Sequence, residues 1–392
     1  MRSTVRFVLP PELEAAAPPE TRGLRRDHVR LLLLDRDTGA VHHHRFDELP
    51  RLLRPGDLVV VNDSRTLPAS LLGRTAGGAA LEVRLAARDG GVRGTPGGSP
   101  DGTGPGESGA ERWAALPLGV PAGGGDPALV PTDARPAPPP LPPGERLVFG
   151  GGLTATVLGR HEEAPPLVWL AFDAGGERLA EALHRAGRPV RYAYVPRPWP
   201  LHHYQTMFAA APGSAEMASA GRPFTVQTVR ALRDRGIGLA TISLHAGLST
   251  YGDPAVDRRF VPPEAYRVPE ATAAAVDRCR AAGGRVVAVG TTVVRALETS
   301  AAAGGGKVLA GAGMSRLRIG PGHRLLAVDG LLTGLHEPEA SHLDLLGAFV
   351  DPEVLARAYT AALDAGYLWH EFGDVCLVVG ESAELPQTNP VP

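Results

Sequence analysis

Five short polar clusters sit directly after or before apolar runs, and each carries groups able to hold a ligand or move a proton. They are Asn62-Asp63-Ser64-Arg65 after "LVVV", His245 after "LATISL", Gly290-Thr291-Thr292 with Arg295 after "VVAV", His336 after "LLTGL", and Glu371-Phe372-Gly373-Asp374 before "VCLVV". In "GGRVVAVGTTVVRALETS" (283–300), Gly290 ends an apolar strand and a helical pattern follows at once. A helix that starts there leaves backbone N–H groups without intrahelical partners, and these suit an anion. Taken singly, each cluster also has a plainer reading: Asn62 and Asp63 as a turn, Thr292 as a helix N-cap, each histidine bonded to a local carbonyl. Repeated at four or five strand ends, the clusters point to one ligand cleft at the carboxyl edge of a sheet.

The elements that must position these residues follow from the texture of the chain. From Val29 to Ser70 it is orderly: two strands turn at Asp37-Thr38-Gly39, and a short helix, a Pro-Gly turn and a buried strand at 58–61 follow. Residues 89–110 and 121–144 are Gly/Pro-rich and too polar to fold alone, so they are expected to be dispensable loops. Around them lie short strand-like runs, "LEVRLAA", "RWAALPLG", "LTATVLGR" and "LVWLAF". After about Arg188, strands alternate with helices, the signature of an α/β layer structure. The expected architecture is therefore α/β: a split α/β domain (1–68 and 189–392) with an inserted small β-barrel domain at 69–188.

Composition narrows the partners. The 392 residues carry a formal net charge of -2 and are 43% hydrophobic, enough for a sizeable core without a strong pull toward nucleic acid. Two cysteines exclude a disulfide framework. No apolar run is long enough to span a membrane, and no targeting segment is evident, so a cytoplasmic, soluble, monomeric protein is expected. "GGGK" at 304–307 is followed by Val308 and lacks the Ser or Thr of a phosphate loop. Adjacent strand residues point to opposite faces, so His42-His43-His44 chelate poorly, and no metal site is expected.

In their joint order, several stretches resemble the S-adenosylmethionine:tRNA ribosyltransferase-isomerase family of queuosine biosynthesis. They are 31–74, "YQTMFAAAPGSAEMASAGRPFT" (204–225), "ATISLHAGLSTY" (240–251), 283–299, "LLTGLHEP" (331–338) and 348–374. The family's central motif reads Ala-Ala-Pro-Thr-Ala-Gly-Leu-His-Phe. Here Glu216-Met217-Ala218-Ser219-Ala220-Gly221-Arg222-Pro223-Phe224 keeps the glycine and loses the proline and histidine. The resemblance implies an α/β domain with an inserted barrel. It also implies a reaction that moves the ribosyl part of S-adenosylmethionine onto a 7-aminomethyl-7-deazaguanine base in tRNA, giving epoxyqueuosine and releasing adenine and methionine. S-adenosylmethionine is then a substrate, and no cofactor is implied.

That chemistry sets tasks for the clusters. Gly290, Thr291, Thr292 and Arg295 suit the methionine carboxylate; Asn62 and Asp63 suit ribose hydroxyls; Tyr204 and Gln205 suit the purine; Arg65, Gly221 and Asp374 complete the binding set. His245 and His336, which titrate near neutrality, are the proton-transfer candidates with Asp63, and the base is not assigned between the two histidines. Both are expected to face one cleft. Two other readings stand beside this one: the same donor chemistry on a small-molecule acceptor, and a non-catalytic nucleoside- or RNA-binding homologue.

Overall fold

The computed structural model describes residues 5–89, 111–123, 125–338 and 340–380. The chain opens with β1 (Arg30–Asp35), β2 (Val41–Arg45), β3 (Leu58–Asn62) and the short β4 (Ser64–Thr66). Then come β5 (Ser70–Thr75), β6 (Ala80–Arg88), β7 (Glu111–Gly119), β8 (Arg146–Phe149), β9 (Thr154–Arg160), β10 (Val168–Phe172) and β11 (Gly187–Arg188). Last are β12 (Ala211–Ser214), β13 (Gly238–Leu244), β14 (Glu264–Val268), β15 (Val286–Val289), β16 (Gly311–Ser315), β17 (Gly330–Gly334) and β18 (Val375–Val379).

Nine strands form one sheet in the order β16-β14-β13-β3-β15-β17-β18-β1-β2. Its central strands are continuous apolar runs, as burial on both faces demands. Alternation then sorts each run between two cores. Leu32, Leu34, Leu58, Val60, Ile242, Val286 and Val378 face helices Glu270–Ala281, Thr291–Ala303 and Pro352–Asp364. Leu31, Leu33, Val59, Val61, Val287 and Leu377 face Phe46, Leu52, Phe224 and helix Val226–Asp234 on the other side. The result is a three-layer α/β/α arrangement.

A second sheet runs β11-β5-β6-β7-β10-β9-β8, and pairing of β5 with β8 closes six of these strands into a barrel. Leu71, Val83, Leu85, Ala115, Leu147, Val157 and Leu170 fill it, while helix Gly176–Ala186 contributes Leu179 and Leu183. Every barrel strand lies between Ser70 and Arg188, and the nine-stranded sheet is drawn from both sides of that interval.

Of the two Gly/Pro-rich stretches, 90–110 lies outside the described residues. The second is irregular apart from single turns at Pro127–Leu129 and Thr132–Ala134, but it is not a free loop. Buried Arg135 donates to Glu82 at 2.8 Å and to the Gly119 carbonyl at 2.8 Å, and Asp126 pairs with Arg191. Burial pushes Glu82 up, but Arg84 and Arg135 outweigh it and hold the carboxyl below its usual range. The expectation that 121–144 is dispensable therefore needs correction, because composition does not reveal a single anchoring arginine.

Candidate functional site

Topology collects the polar clusters at one edge. β13, β3, β15 and β17 run parallel, so Asn62, His245, Gly290 and His336 follow strand ends on the same side of the sheet. β18 is antiparallel to β17, so its first residues, and Asp374 before them, reach that same edge. At about 4.8 Å per strand, the His245 and His336 ends are three steps, roughly 14 Å, apart.

Asn62 is fully used within the protein. Its amide donates to the Leu244 carbonyl at 2.8 Å and to Thr292 Oγ1 at 3.2 Å, while Oδ1 accepts from Ser64 N and Leu244 N, both at 3.0 Å. Two donor and two acceptor positions are thereby filled, and Asn62 acts as a clasp joining β3, β13 and the 291–303 helix rather than as a free hydroxyl reader. Asp63 accepts from Ser243 Oγ at 2.5 Å, and burial raises its carboxyl above the usual range. Next to it, Ser64 Oγ meets His245 Nδ1 at 2.8 Å and Ser214 Oγ at 2.6 Å. Gly213 packs against the His245 ring, where a Cβ would lie 2.5 Å from Nδ1. Burial holds the imidazole below its ordinary pKa. Arg65 is exposed beyond this network.

Gly290 adopts φ 92 and is itself the N-cap of the 291–303 helix. Thr292 therefore stands inside the helix, and no side chain caps it, so the plain N-cap reading of Thr292 does not describe this end. Val293 N bonds back to the Gly290 carbonyl at 3.1 Å, whereas the Thr291 and Thr292 amides find no acceptor among the described residues. Arg295 does not join them. It pairs with buried Glu264 and donates to the Leu317 carbonyl at 3.1 Å, so its charge is already answered.

His336 shares Nε2 with Thr333 Oγ1 at 2.8 Å and stacks on His342 with ring centroids 4.4 Å apart. Burial, then the neighbouring His342 and His370, push its pKa well down. Asp374 accepts from Arg30 N at 2.7 Å and Leu368 N at 2.8 Å, which makes it a clamp between β1 and β18. Gln205 is also occupied: its side-chain amide reads both backbone groups of Thr66, at 3.0 and 2.8 Å. Tyr204 packs its ring on Phe372 at 5.1 Å with its hydroxyl unbonded among the described residues. It lines a cavity of about 90 Å³ together with Trp199, Arg188 and Arg191. Gly221 is buried under Thr206 and Phe208.

Residue-by-residue reading missed the partners of Glu371. Its Oε2 accepts from the Tyr194 hydroxyl at 2.7 Å, and Tyr192 donates to Glu216. Neither tyrosine belongs to a periodic pattern. The quoted cluster at 371–374 was the available signal, but its partner lies 177 residues away.

The pattern of a family described as queuosine biosynthesis protein matches residues 2–378. An S-adenosylmethionine:tRNA ribosyltransferase-isomerase of Sorangium cellulosum is 38% identical over 96% of this chain and 98% of its own length. One of the same name from Gloeobacter violaceus is 37% identical, over 95% of this chain and 94% of its own. The crystal structure of an S-adenosylmethionine tRNA ribosyltransferase from Thermotoga maritima covers 96% of this chain and 99% of that one, at 28% identity and a TM-score of 0.49.

Proposed function

This chain belongs to the queuosine biosynthesis protein family, and we propose that it is an S-adenosylmethionine:tRNA ribosyltransferase-isomerase. It transfers and isomerises the ribosyl moiety of S-adenosylmethionine onto a 7-aminomethyl-7-deazaguanine base in tRNA, releasing adenine and methionine. The observation that carries the reading is the end-to-end match to relatives of that name, at 38% identity in the Sorangium cellulosum protein. S-adenosylmethionine is consumed as a substrate, and the chain works as a cytoplasmic monomer without a further cofactor.

The edge residues divide the work as follows. The free amides of Thr291 and Thr292, at a helix end carrying roughly half a positive charge, receive the methionine carboxylate. Gly290 lets the backbone approach it. The sulfonium acidifies the adjacent ribose C–H, and a base removes that proton. His245 is that base: Ser64 engages Nδ1, Nε2 makes no hydrogen bond among the described residues, and burial favours the neutral ring. Asp63 and His336 serve the sugar and the departing adenine, and Tyr204 lies against the purine. Asn62, Gln205, Asp374 and Arg295 hold the frame.

Incubating the protein with S-adenosylmethionine and chromatographing for adenine and methionine, with and without tRNA bearing the precursor base, tests this. Adenine release that depends on the tRNA is the expected result. Release without tRNA would point to a small-molecule acceptor, and no release would leave a binding protein.

A further inference from the structure

Four carboxylates converge where the connector after the barrel crosses the sheet edge. Tyr194 donates to Glu371 at 2.7 Å, while Glu216 accepts from Tyr192 and from the Ser249 amide at 2.9 Å. The Tyr194 ring lies flat on His370, with centroids 3.7 Å apart and planes 7° from parallel. His370 turns Nδ1 toward Glu337 and Nε2 toward Glu14, each at 3.5 Å.

Buried acids elsewhere in this protein are either paired with arginine or, like Glu298, held by several backbone N–H groups. Asp57 has Arg285, Glu82 has Arg84 and Arg135, and Glu264 has Arg295. Among the described residues no lysine or arginine forms an ion pair with Glu216, Glu337 or Glu371. The Arg84 guanidinium stands 5.4 Å over the Tyr192 ring and is already bonded to Glu82, and that of Arg22 is bonded to the Phe372 carbonyl. An uncompensated acidic set partly withdrawn from water is costly, and burial raises both Glu216 and Glu371.

An independent observation points to a ligand. The His370 side chain is only 6% exposed, yet its Nε2 makes no hydrogen bond among the described residues. Buried polar groups are normally satisfied, and this nitrogen has only the Glu14 carboxyl at 3.5 Å, beyond hydrogen-bond geometry. Glu337, with 55% of its side chain exposed, leaves the cluster open to solvent on one side.

We propose that Glu216, Glu337 and Glu371, with Tyr194 and His370, form a subsite for an organic cation carried by a substrate. The inference rests on the ribosyl-transfer reading, which supplies, beside the α-ammonium of the methionine moiety, two cations at the reacting ends of its substrates: the sulfonium of S-adenosylmethionine and the aminomethyl ammonium of the acceptor base. The carboxylates hold the positive charge, and the tyrosine hydroxyls keep them oriented.

Calorimetric titration with two matched pairs tests it: S-adenosylmethionine against its neutral thioether S-adenosylhomocysteine, and 7-aminomethyl-7-deazaguanine against 7-methyl-7-deazaguanine. The wild-type protein should prefer the cation at least tenfold in one pair. Glu371→Gln and Glu337→Gln should each cut that preference about fivefold or more and leave the neutral ligand's affinity unchanged. Loss in the first pair identifies the sulfonium, and loss in the second the ammonium. Glu337 is exposed, so its variant should fold, as a thermal melt would verify. Cation preference unchanged in both variants would overturn the subsite while ribosyl transfer stands. A wild-type protein that binds neither cation and releases no adenine would overturn the functional reading and the subsite with it.

Discussion

Asn62 Nδ2 and Thr292 Oγ1 lie 3.2 Å apart, so the end of β3 is fastened to the first turn of the helix that follows β15. The same side chain spans to Leu244 on β13 through two further bonds. One amide thus sets the relative position of three strand ends. Asn62→Ala should cost about 2–3 kcal/mol of stability, because buried backbone groups of Leu244 and Ser64 lose their partners. A urea melt measures it. A loss below about 0.5 kcal/mol would mean the clasp is not needed.

Gly290 and Thr291 can be separated by substitution. A Cβ on Gly290 would meet nothing closer than Thr292 Oγ1 at 3.5 Å, so Gly290→Ala tests backbone conformation alone. At φ 92 it should destabilise by about 1–2 kcal/mol. Thr291→Val removes one hydroxyl that makes no hydrogen bond among the described residues. It should weaken S-adenosylmethionine by about 1 kcal/mol and leave adenosine binding as it was, if the carboxylate sits there. Equal effects on both ligands would remove the carboxylate from this helix end.

His245→Asn should reduce turnover about 100- to 10,000-fold while shifting the melting temperature little. Burial depresses the pKa of His245, so the imidazole stays neutral to lower pH than an ordinary histidine. A base must be neutral to act. The rate should therefore hold below pH 6.5 and fall only as pH drops through the depressed value. A rate already halved at or above pH 6.5 would exclude His245 as the base.

Glu371 carries a pH signature in stability. Burial raises its carboxyl from 4.5 to about 7, with Tyr194 opposing and Glu216 and Glu337 adding to the rise. Tyr204 and His370 also border it. The native state holds this proton where the unfolded chain has released it. Its stabilising effect is thus complete below pH 4.5 and is lost as pH rises through 7. Glu371→Gln keeps the neutral form at every pH, so it should raise the melting temperature at pH 8 and change it little at pH 4.5. An equal shift at both values would show that the carboxyl is not held protonated.

Arg135→Ala should destabilise by about 3 kcal/mol, since Glu82 loses one of two buried partners. Differential scanning calorimetry reads the change. A variant as stable as the parent would restore the view of 121–144 as a dispensable loop.

Some of this protein was written locally. Apolar runs such as Leu31–Leu34, Leu58–Val61 and Val375–Val379 specify buried strands by themselves, since continuous β-branched and leucine residues suit a two-faced core. Gly290 after "VVAV" announces a strand-to-helix turn, because few other residues tolerate positive φ. What tertiary structure alone decided is which polar groups remain free. Arg295 looked available from its position one turn into the helix, but Glu264 comes from another strand to claim it. Asn62 looked like a ligand reader until β13 and Thr292 filled its hydrogen-bonding capacity. Tyr194 and Glu371 meet across 177 residues, and no periodicity encodes that meeting. Hydrophobic alternation is a property of neighbouring residues and survives in the sequence. Satisfaction of a donor or a charge depends on partners that only chain folding brings within about 3 Å.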